Sequence, residues 1–247
     1  MSGEASTSSS EPPSTSNTPP PTIPTRITVH PVTPILDDER NVIVVYGSKF
    51  TRSEMAMHLA GNMPIQNERA LVLTSNGEGW SDAKKINPSF VHTIEEERKE
   101  FADELRRRDE TKKEFATRVM EISRDGPFLL VFDCVLTDHD VLQPWFMDLL
   151  HCRTVSLIIS TQQPFCYPSF SRVPFRHLHM RCTAIVYLDG ASENTLKVVR
   201  CEIDDDKRNA PSLNALLCIY KTFMETERRA LVVLRKPGTV GYYDWAK

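Results

Sequence analysis

Two apolar runs in this chain end in side chains that can do chemistry. In Pro127 to Cys134 the hydrophobic stretch Phe128 to Phe132 leads to the carboxylate of Asp133. Further on, Leu157 to Ser160 leads through Thr161 to the amide of Gln162. Strands of a parallel sheet covered on both faces read as unbroken hydrophobic runs, and ligands gather at their carboxyl ends. A carboxylate at such a tip can hold magnesium, commonly through water. An amide at a neighbouring tip can either touch the same ligand or hydrogen-bond the backbone of its own loop.

A phosphate site built on these tips needs a third part. Glycines must let backbone amides turn toward the phosphate, a lysine must supply a compact charge, and a Ser/Thr hydroxyl must reach magnesium. The turn after the first apolar run is Tyr46-Gly-Ser-Lys-Phe-Thr-Arg-Ser53. Registered against GxxxxGK[ST], Tyr46 stands at the first glycine, Thr51 at the second and Arg52 at the lysine; only Ser53 conforms. Positive φ is costly for a β-branched residue, and a planar guanidinium does not fill the place of an ammonium. Gly47, Ser48, Lys49, Thr51, Arg52 and Ser53 are the candidate ATP-contacting residues, with Lys49 as a substitute cation. Ser53 and Asp133 are the candidate magnesium ligands. Beside Asp133, where a hydrolytic site keeps a second acid, the chain has Cys134. A thiol with a reference pKa of about 8.5, raised by burial, orients water poorly. Asp138 and Asp140 are the alternative acids on the following loop.

These residues require strands and helices in alternation. Val42 to Tyr46, Ala70 to Thr74, Phe90 to Thr93, Phe128 to Phe132, Val155 to Ser160 and Ala184 to Leu188 read as strands. Helices are expected from Ser53 to Ala60, within the charged stretch Ile94 to Arg124, on the stripe Val141 to Leu150, around Ser192 to Val199 and around Leu213 to Phe223. The density of Glu, Lys and Arg between Ile94 and Arg124 fits a solvated helix face with i,i+4 pairs. Ala230 to Leu234 and Gly241 to Tyr243, separated by Lys236-Pro-Gly238, read as a closing hairpin. The class is therefore α/β, a three-layer sandwich with a mainly parallel central sheet and a C-terminal hairpin.

At 247 residues and 40% hydrophobic composition, the chain holds one domain, residues 28–247, behind an arm of residues 1–27. The arm is rich in Ser, Thr and Pro and cannot bury enough apolar surface to offset its ordering entropy, so disorder is expected there. No signal-peptide pattern and no membrane-length apolar run is present. The six cysteines lack CxxC pairing and lie mostly beside apolar runs, which points to a reducing, intracellular compartment. His177 and His179 with Cys166 and Cys182 match no familiar zinc spacing, so no zinc is expected. A net charge of −3 excludes a protein-wide nucleic-acid surface but not a few basic residues on one loop.

The block from Pro127 to Leu188 resembles the genome-packaging ATPases of large DNA viruses, the poxvirus-type branch of the FtsK/HerA-like P-loop proteins. Phe128-Leu-Leu-Val-Phe-Asp133 takes the place of that family's acid-tipped strand. Trp145-Phe-Met-Asp-Leu-Leu-His-Cys152 takes the place of its helix end, Ser156 to Gln162 of its next strand, and Pro168 with Arg172 of the loop that follows. The resemblance implies a P-loop NTPase-like fold, ATP with magnesium, a ring of subunits, and DNA and capsid or packaging proteins as partners. It also implies catalytic roles for Asp133, for Gln162 beside the γ-phosphate and for Arg172. His151 stands where the family carries an arginine that acts on a neighbouring subunit's nucleotide; Arg153 takes that role only after a two-residue shift.

Three readings follow. The first is a packaging-ATPase-like protein with impaired or lost hydrolysis, acting in packaging or as a binding subunit, since phosphoryl transfer relies on positioning and charge that three altered elements no longer supply. The second is an active ATP-driven DNA translocase with a deviant loop. The third is an unrelated α/β interaction domain whose strand-end polar residues are coincidental.

Overall fold

The computed structural model describes residues 30–36, 40–65, 69–75, 77–81, 91–93, 102–161, 178, 181–189, 214, 217, 218, 220, 221, 228–235 and 239–245. The arm 1–27 and the helix expected around Ser192 to Val199 lie outside them.

Nine strands form one sheet: β1 (His30–Pro31), β2 (Val42–Tyr46), β3 (Ala70–Thr74), β4 (Val91–Thr93), β5 (Phe128–Asp133), β6 (Val155–Thr161), β7 (Ala184–Tyr187), β8 (Arg229–Leu234) and β9 (Thr239–Asp244). Their order is β1-β9-β8-β7-β2-β6-β5-β3-β4. Pairings are parallel except those of β8 with β7 and β9, so β8 alone runs against the rest. The expected mainly parallel sheet and closing hairpin are both present.

The central strands are apolar on both sides because both are covered. Alternate residues divide into two cores. Val42, Val44, Leu71, Leu73, Leu130, Phe132, Leu157 and Ile159 face α3 (Ala102–Ile122) and α5 (Pro144–His151). Ile43, Val45, Ala70, Val72, Leu129, Val131 and Ile158 face α1 (Lys49–Asn62) and Trp80 of α2 (Gly77–Ser81). Helix α1 lies across β5 and β6 on its Met55, Ala56, Leu59 and Ala60 stripe. Full burial of Met55 and Leu59 contributes roughly 1.5–3 kcal/mol each. It ends where Met63, the residue before Pro64, turns extended, because proline disfavours a helical predecessor. On the other face Pro144 opens α5 at its first turn, where its missing N–H is not needed. Arg40 closes α5, donating to the carbonyls of Leu149, Leu150 and Val155.

The sequence reading lacks β1 and α2, and the single helix expected on Val141 to Leu150 is split into Asp138–Val141 and Pro144–His151. The departure that bears on the site is the start of α1. Helix α1 starts at Lys49, four residues before the expected Ser53, with Ser48 as its N-cap. Only Gly47 and Ser48 separate it from β2. Most of the octet read as a phosphate loop is therefore helix. Thr51 and Arg52, which stand where glycine and lysine would hold an open loop, are compatible with helical backbone, and a single helical turn takes the loop's place.

Candidate functional site

Period-2 alternation decides what surrounds Asp133. Leu129 and Val131 point to the α1 face, so Asp133 does too; the same parity carries Thr74 of β3 and Ser160 of β6 to that face. The register pairs Thr74 with Asp133 and Asp133 with Ser160, so the three stand in one row across neighbouring strand tips. Helix α1 then brings Ser53 over the row, and α2 brings Trp80 against its other end.

The result is a closed cage. Asp133 Oδ1 accepts from Ser53 Oγ at 3.0 Å and Ser160 Oγ at 2.5 Å. Its Oδ2 accepts from Thr74 Oγ1 at 3.0 Å and Trp80 Nε1 at 2.8 Å. An ionised carboxylate offers about four lone-pair sites, and these donors fill them. The Cys134 thiol adds a weaker contact to Oδ1 at 3.4 Å. Asp133 is 1% exposed. Of the two residues expected to hold magnesium, Asp133 has both carboxylate oxygens engaged by these donors, and the half-buried Ser53 donates its hydroxyl to Oδ1. Among the described residues no cluster of three or more His, Cys, Asp or Glu side chains can hold a metal.

Cys134 follows in the left-handed region, at φ 60°, a conformation that side chains other than glycine rarely adopt. Its thiol is pushed up by burial and by the Asp133 charge, while a hydrogen bond with Ser160 and the charge of Arg52 pull the other way. It is therefore a neutral neighbour of Asp133 and not a second acid. Nor does Asp140 replace that acid. It forms a capping box with Thr137 at the start of α4 (Asp138–Val141) and accepts from Lys112 Nζ of α3 at 2.6 Å. That buried pair belongs to the opposite face of the sheet. The side chain of Asp138 lies outside the described residues.

The residues of the altered loop have local tasks. Gly47 is required by close approach: a Cβ there would stand 2.7 Å from Leu188 Cβ and 3.2 Å from the Asp189 carbonyl. The Ser48 N–H donates to that same Asp189 carbonyl at 3.0 Å. Its hydroxyl pairs with Thr51 Oγ1 at 2.8 Å and does not cap the helix, and no acid occupies the first turn. Arg52 is 4% exposed, with its Nε unpartnered. Lys49 contributes the first helical residue; its side chain lies outside the described residues.

Gln162 and Arg172 also lie outside them. His151 ends α5, exposed, with Nδ1 2.6 Å from the Met147 carbonyl. Helix α5 packs on the face away from Asp133 and ends beside the start of β6, so His151 is at the opposite rim of the sheet. Within one chain the structure gathers Ser53, Arg52 and Asp133 and leaves His151 apart. The sequence reading missed Thr74, Trp80 and Ser160. Strand-end position and shared parity with Asp133 could have found the first and last; a lone Trp in a polar stretch gives no such signal.

No family model matches the sequence, and no curated protein does either. Solved structures do. The genome packaging NTPase B204 from Sulfolobus turreted icosahedral virus 2, in complex with ATP-gammaS, superposes with a TM-score of 0.54 at 13% identity, covering 84% of this chain and 98% of that one. Its AMPPCP complex gives 0.52 at 12% identity over 84% and 98%. The pCW3 conjugation coupling protein TcpA, in its monomer form with ATPgS, gives 0.50 at 9% identity over 84% of this chain and 60% of that one. The fold of this chain is thus P-loop NTPase-like, as the resemblance implied.

Proposed function

We propose that this chain is a packaging-ATPase-like protein that does not hydrolyse ATP and that acts as a binding or structural subunit in a DNA-handling assembly. The observation that carries the first half is the cage around Asp133. Hydrolysis needs that carboxylate free to help place a metal, and here Ser53, Ser160, Thr74 and Trp80 occupy it. The replacement of the open loop by the first turn of α1 acts in the same direction. Phosphoryl transfer depends on positioned charge, so losing the loop, the metal site and the second acid together removes most of the rate.

The second half rests on the fold shared with a viral packaging NTPase and a conjugation coupling protein. DNA, a ring of like or unlike subunits, and capsid or packaging proteins are the partners this reading suggests. The division into an arm (1–27) and a domain (28–247) suits a subunit that engages partners through its tail. No helix among the described residues is long and apolar enough to cross a membrane; an intracellular assembly site is the matching location.

The test is turnover of ATP by the purified chain with magnesium, alone and with double-stranded DNA. The expected result is release of phosphate no faster than in an Asp133→Ala control. Turnover that vanishes in that control establishes the active-translocase reading instead.

A further inference from the structure

The rim of the sheet opposite Asp133 carries a row of arginines. Arg181 and Arg153 stand just before β7 and β6, and Arg40 just before β2, which lies between those strands. Arg235 directly follows β8, which runs the other way and so ends on the same rim. Backbone bonds fix the row: Thr183 donates to the Val42 carbonyl, Leu157 to that of Asn41, and Arg235 to that of Thr183. Neighbouring strands lie about 4.8 Å apart, so the four positions span about 14 Å. Arg153 and Arg181 are exposed, and Arg235 is half-buried.

Little opposes this charge. Arg40 donates to the carbonyls of Leu149, Leu150 and Val155, and the carbonyl end of a helix offsets about half a charge. Burial pulls its guanidinium down to about 10, and Arg181 pulls the same way against the Cys152 and Cys182 thiols. Burial pushes the Cys182 thiol up, against Arg235 and Arg40. Among the described residues no carboxylate acts on Arg40, Cys152 or Cys182. Nor, among them, does an ion pair join Arg40, Arg153 or Arg181 to an acid, although Asp148 is exposed on the last turn of α5. Asp37, Asp38 and Glu39 precede Arg40 in the chain, outside the described residues.

We infer that this rim binds the sugar-phosphate backbone of a nucleic acid duplex, without nucleotide or metal and without reading sequence. A guanidinium matches phosphate with two parallel N–H donors where a lysine offers a point charge. A protein partner fits less well. Its interface keeps an apolar centre, and among the described residues no large apolar side chain is exposed between Arg235 and Arg153 along the rim. Arg153 and Arg181 make the phosphate contacts, and Arg40 and Arg235 raise the local potential behind them. Such contacts position a duplex but carry no sequence information. The inference rests on the proposed place in a DNA-handling assembly and adds the surface that meets the nucleic acid, on the rim away from the Asp133 cage.

The experiment is fluorescence anisotropy of labelled duplexes of mixed sequence, one DNA and one RNA, titrated with the full chain in EDTA at about 50 to 200 mM salt. Two to three phosphate contacts predict a slope of log K on log salt between about −1.8 and −2.7. Arg153→Ala with Arg181→Ala should flatten that slope by about 1.8 and weaken binding at least about tenfold at the lowest salt. Arg228→Ala, an exposed arginine at the other end of β8, should leave binding unchanged. The DNA and RNA arms show which backbone the rim prefers. No binding of either duplex, a slope unchanged in the double variant, or equal losses in Arg228→Ala and the double variant each overturns the inference. Both exposed arginines lack ion pairs, so the double variant should fold, and its urea midpoint checks this. Should it not fold, Arg153→Lys and Arg181→Lys as single variants carry the test, each expected to weaken binding with the slope kept. Binding that survives in the double variant removes this surface and leaves the proposed function standing; magnesium-dependent ATP turnover removes the proposed function and leaves the rim.

Discussion

Trp80 Nε1 donates a 2.8 Å hydrogen bond to Asp133 Oδ2, and neither residue has more than 1% of its surface in contact with solvent. The bond ties α2 to the tip of the central strand β5 and holds the carboxylate from the side opposite Ser53. A group placed for chemistry keeps a lone pair open to its ligand. Asp133 instead joins β3, β5, β6, α1 and α2 at one point, which is the work of a structural anchor.

That role has a measurable consequence. Trp80→Phe removes one donor from a buried charged acceptor and should cost about 1.5–3 kcal/mol. Asp133→Ala strands Ser53, Thr74, Trp80 and Ser160 together and should cost more, roughly 4 kcal/mol or above. Urea unfolding midpoints read both. An Asp133→Asn protein as stable as wild type would mean the carboxylate is not an anchor.

A second anchor sits on the other face. Lys112 and Asp140 form an ion pair with side chains 4% and 0% exposed, at 2.6 Å. Lys112 also donates to the Val135 carbonyl, and Asp140 accepts from the Thr137 backbone and hydroxyl. Breaking a buried pair leaves one charge uncompensated, so Lys112→Met should destabilise by about 3–5 kcal/mol. Adding Asp140→Asn to it should recover part of that loss, because the stranded charge is gone. A double-mutant cycle by chemical denaturation checks the sign: additive costs would show that the two side chains do not couple.

The strands were legible because burial on both faces leaves unbroken apolar runs of strand length, such as Val42 to Tyr46 and Phe128 to Phe132. Helix α5 was legible from its Trp145, Phe146, Leu149 and Leu150 stripe, and α3 from a longer one. The start of α1 was not. Ser48 is a good N-cap type, but it sits in an octet that also fits a loop template, and the template won over the capping signal. Asp133 was visible as a strand-tip acid; its cage was not, since Trp80 is 53 residues away and reaches it only because β3 and β5 are neighbours. Lys112 and Asp140, 28 residues apart, meet for the same kind of reason. Local spacing carries periodicity but not which strand lies beside which.

The thiols should separate by reactivity, since the thiolate is the nucleophile. Burial raises Cys152, but hydrogen bonds with Thr154 and Ser123 and the charge of Arg40 bring it below the ordinary thiol value overall, and it is partly exposed. Cys134 is raised by burial and by Asp133. Cys182 is buried. Brief iodoacetamide treatment near pH 8 should therefore alkylate Cys152 before Cys134, and Cys182 only after unfolding. Peptide mass spectrometry gives the order, and equal labelling of Cys134 and Cys152 would contradict the geometry.

Cys182 also sets a limit on alkaline stability. Complete burial pushes its thiol from 9.0 up to about 12, against smaller opposite effects of Arg235 and Arg40. A group whose folded value is raised favours the folded state while it stays protonated. Its contribution is complete below the unfolded value near 9 and is lost as pH rises from there toward about 12. In that window each pH unit removes about 1.4 kcal/mol from the wild-type protein. A Cys182→Ala protein has no thiol to ionise, so it lacks this slope although its cavity makes it less stable at neutral pH. The stability gap between the two should hold constant from pH 7 to 8 and shrink above pH 9. Urea titrations at pH 7, 8, 9.5 and 10.5 measure the gap. A gap that stays constant through the highest pH would place the thiol in contact with water and contradict the packing of Cys182 against the α3 and α5 face.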